Sequence, residues 1–89
     1  MLSQEMKKSL KKRAHHLNPV VMVGQNGVTQ RVLSEIDIAL TAHELIKVKL
    51  MENDRDVREE QSQTICAEVD AEFVQSIGKM LVIYRKNEE

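Results

Sequence analysis

The sequence of 89 residues contains no Trp, one Phe, one Tyr, one Cys and one Pro. Two aromatic rings cannot form the stacking platforms on which RRM and OB domains hold single-stranded bases. The lone Cys66 excludes an intrachain disulfide framework and a zinc site of the Cys₄ or Cys₂His₂ kind. It fits a reducing compartment, and a cytoplasmic location is expected. The longest apolar runs, Val20–Val23 and Met80–Tyr84, fall far short of the ~20 residues a membrane span needs. Residues 1–8 place charges where a signal peptide would place its apolar core, so export is not expected either. Catalytic patterns are missing as well. There is no Gly-x-Ser-x-Gly elbow, and His43-Glu44 meets Lys47 where a metalloprotease helix needs its second His. His15 and His16 are adjacent, so on a helix they diverge and cannot share a metal as an i, i+4 pair can. Neither an enzyme nor a metal or other cofactor is expected.

Net charge is also small, at −1. Its distribution is not. Residues 1–31 carry six Lys/Arg against one Glu, whereas residues 52–72 carry two Arg against eight Asp/Glu. A basic end and an acidic segment on one small domain make an electrostatic dipole that can orient an anionic partner. A chain of this length supports one domain, taken as 1–89, and buries only about 60–65% of its unfolded surface. No internal repeat, linker or low-complexity stretch divides it.

Periodicity predicts the order α-β-α-β-α-β-β, a compact single-domain α/β fold. Leu2, Met6, Leu10, Ala14 and Leu17 recur at helical spacing, with Lys7, Lys8, Lys11, Lys12 and His15 on the opposite side. Arg13 departs from this pattern and falls beside the apolar stripe. Pro19 ends the helix by Asn18. Pro19–Val23 reads as a strand whose continuous apolarity predicts cover on both faces, as in a sheet interior. Thr29 is the expected N-cap of a second helix, buried through Val32, Leu33, Ile36, Ala39 and Leu40. Residues 45–51 alternate, with Ile46, Val48 and Leu50 inward and Lys47 and Lys49 on a wet, basic face. Asp56 and Glu59 have capping-box spacing for a third helix, buried through Val57, Ile65, Cys66 and Val69. Phe73–Ile77 and Met80–Arg85 form a hairpin about Gly78-Lys79, with Gly first as a type II′ turn requires.

Gly24-Gln25-Asn26-Gly27 is the informative loop. It joins a strand to a helix N-terminus, where free N–H groups and the helix dipole favour an anion. Glycines let a phosphate backbone approach without a Cβ in the way. KH domains clamp nucleic acid with the same Gly-x-x-Gly pattern. Taken alone, the tetrapeptide reads first as a plain strand-to-helix turn, where Asn and Gly serve only geometry. Taken alone, the lysines are a solvated face, and the acidic segment is the solvated face of the third helix. Lysines on a helix face, lysines on a strand face and a phosphate-compatible loop in one small domain point together to recognition of backbone and shape.

Ala14-His15-His16-Leu17-Asn18-Pro19-Val20-Val21-Met22-Val23-Gly24-Gln25-Asn26-Gly27-Val28-Thr29 resembles the signature of the CRM domain, found in bacterial YhbY-like RNA-binding proteins. His43–Lys49 and Ile77–Arg85 resemble it too, so the similarity covers nearly the whole chain. The resemblance implies a four-stranded mixed sheet with helices packed on it, similar to the C-terminal domain of translation initiation factor three. It implies a non-catalytic protein associating with precursors of the large ribosomal subunit during ribosome assembly. Relatives with repeated domains assist organellar splicing, and a single-domain chain fits the ribosomal role better. The matching Gly24–Gly27 loop is implied to contact RNA, as is the basic first helix. Many relatives carry Lys or Arg inside the loop, whereas Gln25 here is neutral.

The residues expected to contact RNA are therefore Gly24, Gln25, Asn26 and Gly27; Lys7, Lys8, Lys11, Lys12, Arg13 and His15; Thr29 and Arg31; and Lys47 and Lys49. The expected partner is precursor ribosomal RNA of the large subunit, bound by a monomer away from the acidic third helix. A protein-interaction module docking on ribosomal proteins or assembly factors through that helix is the alternative.

Overall fold

Ser3 starts the first helix, its hydroxyl accepting the Met6 N–H at 3.1 Å, in a computed structural model that describes residues 2–87. This helix, α1, spans Gln4–Ala14, and Lys11, Lys12 and Arg13 in its last turn complement the helix dipole. The chain continues through β1 (Val21–Val23), α2 (Gln30–His43), β2 (Leu45–Leu50), α3 (Arg55–Glu68), β3 (Glu72–Ile77) and β4 (Met80–Tyr84). The predicted order holds, and the four strands form one sheet in the order β1-β2-β4-β3. β1 and β2 pair in parallel, with α2 as the crossover; the other pairings are antiparallel.

The sheet separates two cores. α2 and α3 cover one face, where Ile36, Leu40 and Ile65 meet Val23, Ile46, Val48, Leu50, Leu81 and Ile83. α1 covers part of the other, where Leu10 and Ala14 meet Leu45, Val74 and Val82. Arg85 ties the first layer to the sheet. Its guanidinium donates to Asp37 Oδ1 at 2.7 Å, the Val69 carbonyl at 2.8 Å and Thr41 Oγ1 at 3.0 Å.

Three expectations change. β1 is an edge strand with Met22 exposed between buried Val21 and Val23, not an interior strand. A short apolar run has no periodicity to tell edge from centre. Met6, placed in the buried stripe, is exposed, and Lys7, placed opposite it, is half-buried. The helix rests on the sheet through Leu10 and Ala14, and Lys7 lies one turn before Leu10 and two before Ala14 on the same side. Asp54, not Asp56, caps α3, its carboxylate accepting the Asp56 and Val57 N–H groups at 2.9 and 3.4 Å. Ser62 is buried on α3 because its hydroxyl donates to the Arg58 carbonyl at 3.0 Å and so needs no water. The hairpin turns as expected, with Gly78 at φ +57°. A bulge between Phe73 and Gln75 interrupts the register of β3.

Candidate nucleic-acid interface

The loop between β1 and α2 begins where Met51 N–H bonds the Val23 carbonyl at 2.9 Å. Gly27 N–H returns to the Gly24 carbonyl at 3.1 Å and closes a tight turn, leaving Gly24, Gln25 and Asn26 exposed. The two glycines differ. Gly27 sits at φ +73°, a region that L side chains occupy at a cost. Gly24 has no such φ, and a Cβ built on it meets nothing within 4 Å. Backbone geometry therefore accounts for Gly27 and leaves Gly24 without a structural reason to be glycine.

Thr29 Oγ1 accepts the Val32 N–H at 3.2 Å, so its hydroxyl caps α2 as expected. Arg31 projects into solvent and lies 3.8 Å from Glu35. The acidic helix comes closer to the loop than expected. A Cβ on Gly27 would lie 3.8 Å from Gln61 Nε2 of α3, so α3 borders the loop through a neutral residue.

Lys47 and Lys49 lie on the α1 face of the sheet. Leu45, two residues earlier, packs against α1, and Lys47 pairs with Val82 of the same small core. Both lysines are half-buried, so this face is less wet than alternation alone predicts. Two strand residues separate them by about 6.6 Å. Lys49 pairs with Met22, next but one to Gly24 along β1, so it stands at the loop end. Lys47 stands toward the start of β1, where Val20 N–H bonds its carbonyl at 3.0 Å. There a surface cleft gathers Arg13, His16 and Asn18 with Val20, His43 and Lys47.

Arg13, which departs from the helical pattern, lines this cleft together with Lys47, whereas Lys8, Lys11 and Lys12, exposed as Arg13 is, lie outside it. Lys7, Lys8 and Lys11 share a shallow concavity with Gln4 and Glu5. His15 is exposed at the C-cap of α1, whereas His16 and His43 line the cleft. Those two were not among the expected site residues. They lie 27 positions apart, and no local pattern joins them. Among the described residues, no three His, Cys, Asp or Glu are grouped to hold a metal ion. No helix among them is long and apolar enough to cross a membrane.

These features define a class: small α/β domains in which a strand, a Gly-x-x-Gly loop and a helix flank a lysine-bearing sheet face. Residues 2–85 match the family model of the CRS1/YhbY (CRM) domain, and this chain belongs to that family. It is 51% identical over 86 residues to the "Probable RNA-binding protein PA4753" of Pseudomonas aeruginosa, covering 97% of this chain and 83% of that one. It is 52% identical over 88 residues to a Haemophilus influenzae "RNA-binding protein", covering 99% and 89%. The solution structure of SAV1595 from Staphylococcus aureus superposes with a TM-score of 0.88 at 36% identity, covering 100% of this chain and 93% of that one.

Proposed function

We propose that this chain is a non-catalytic RNA-binding domain that holds the phosphate backbone of structured RNA along the α1 face of its sheet. The observation that carries this is the alignment of Lys49, Lys47 and Arg13 from the Gly24–Gly27 loop to the end of α1. Three cations on one path match a polyanion better than a point ligand. α2 and α3 lie on the opposite face, so the charge asymmetry of the sequence runs across the sheet, with basic α1 on one side and the acidic helix on the other. The names of the relatives support RNA as the ligand. The CRM resemblance supports precursor ribosomal RNA of the large subunit as the target during ribosome assembly, in the cytoplasm and by a monomer.

Replacing Arg13, Lys47 and Lys49 with Gln tests this. Each lost phosphate contact removes about 0.7 (single strand) to 0.9 (duplex) from the slope of log K against log salt, so the slope should fall by about 2 to 3. Replacing Glu59, Glu60 and Glu68 with Gln is the opposing control and should leave affinity unchanged or slightly higher. An unchanged slope in the first variant, or lost RNA binding in the second, places the surface on the wrong face.

A second reading has one observation behind it. A groove of about 550 Å³ runs between α3 and edge strand β3, lined by Arg55, Glu59, Cys66 and the half-exposed Phe73. It supports docking of a ribosomal protein or assembly factor on the acidic side, leaving the RNA face free.

A further inference from the structure

α1 covers only half of its face of the sheet. Its contacts fall on Leu45, Val74, Val82 and Tyr84, toward the start of β2 and the end of β4. Beyond them, the pairings Met22–Lys49, Lys49–Met80 and Met80–Ile77 set one residue from each strand in a single row. Met22 is 58% and Ile77 63% exposed, whereas Lys49 and Met80 are half-buried between them. Val20, 52% exposed, extends the apolar surface beside Lys47. The row crosses three strand spacings, about 14 Å. An apolar row this open on a small domain calls for an occupant.

We infer that this row seats unpaired nucleobases, and that the RNA this chain selects has a loop, bulge or single-stranded end beside its stem. The inference rests on the RNA-binding function proposed above. Two features choose this occupant. The row adjoins the Gly24 loop at Met22 and the lysine path at Lys49, so a strand whose phosphates follow those groups lays its bases on the row. A lysine at the centre of an apolar row complements an unstacked nucleotide, which joins an apolar plane to an anion. Aromatic side chains are not required, because Met and Ile contact bases directly as aliphatic wedges. Met adapts its shape to any of the four bases. A blunt duplex keeps its base planes stacked and cannot use the row. The scarcity of aromatics therefore does not confine this domain to backbone recognition.

The test compares two RNAs of identical stem sequence, one a blunt duplex and one a hairpin with 2-aminopurine in its loop. The protein is the full chain and a Met22→Thr, Ile77→Thr variant. Thr keeps strand propensity at two exposed positions, and a melting curve checks the fold. The wild type should bind the hairpin about fivefold or more tightly than the duplex and change the 2-aminopurine fluorescence. The variant should lose both the preference and the fluorescence change while holding the duplex as before. Duplex and hairpin binding of equal strength, with no fluorescence change, overturns the inference and leaves the proposed function standing. So does an equal loss on both RNAs in the variant. Sedimentation showing a wild-type dimer that the variant dissolves overturns it too, because the row is then an interface between copies. No binding of the wild type to either RNA overturns the proposed function together with the inference.

Discussion

Gly24 and Gly27 bracket one loop, yet alanine at each should have opposite effects. At Gly27 the φ of +73° puts a Cβ against the following carbonyl, which costs about 1–2 kcal/mol. The new methyl would meet only Gln61 Nε2 at 3.8 Å, an ordinary contact, so strain is the whole penalty. With an unfolding entropy of about 2.1 cal/mol/K per residue, the 89-residue chain loses roughly 5–10 °C of Tm. At Gly24 there is no such φ and no atom within 4 Å, so alanine strains nothing. It narrows the unfolded ensemble and should raise stability by about 0.4–1 kcal/mol, or 2–5 °C. If a phosphate approaches the Gly24 backbone, that same methyl keeps it away. One lost charge-assisted hydrogen bond is worth about 1.5–3 kcal/mol, a 10- to 150-fold loss of RNA affinity. Gly24→Ala should therefore be more stable and a weaker binder, a combination that no loss of folding can imitate. Melting curves and a titration with a hairpin RNA measure both. Undiminished affinity in a stable Gly24→Ala protein would refute close approach of a phosphate at this loop.

Three further outcomes follow from particular contacts. Changing Lys8, Lys11 and Lys12 to Gln should reduce the salt slope of RNA binding by up to about 2 to 3 without altering the melt, because all three side chains are exposed. An unchanged slope makes them a solvated surface. Arg85→Lys should destabilise the domain by about 1–3 kcal/mol, since an ammonium cannot span Asp37, Thr41 and the Val69 carbonyl together. A melt within 2 °C of wild type, on the order of 0.4 kcal/mol, rules out a structural clamp. Burial, with Glu72 adding repulsion, pushes the Cys66 thiol above its ordinary 9.0, so the folded state holds that proton longer than the unfolded state. Stability should then decline as pH rises above about 9, and Cys66→Ala should flatten that decline in denaturant titrations across the range.

Much of the architecture was legible along the chain because its causes are local. Alternation in Leu45–Leu50, the Thr29 cap and the Gly78-Lys79 turn depend on neighbours a few residues away; the cap and the turn stand in the structure as read, and the alternation stands with its lysine face half-buried. Pro19 and the apolar spacing of α1 located the first helix, though not which flank would be buried. The glycine loop was visible as a pattern, but the pattern made Gly24 and Gly27 equals. Only the fold, through φ at one and open space at the other, tells them apart.

What the sequence determined alone was the inventory: the order of elements, the separation of basic and acidic segments, and the three motifs that carry the family. The tertiary structure decided which residues became neighbours. Strand order placed β1 at an edge and exposed Met22, and the seating of α1 on Leu10 and Ala14 brought Arg13 and Lys47 to one cleft. His16, in the turn after α1, and His43, at the end of α2, joined that cleft, and Met22, Lys49, Met80 and Ile77 came into one row from four strands. Sheet pairing is set by packing between segments distant in sequence, and periodicity within a segment says which side is apolar without saying what will cover it.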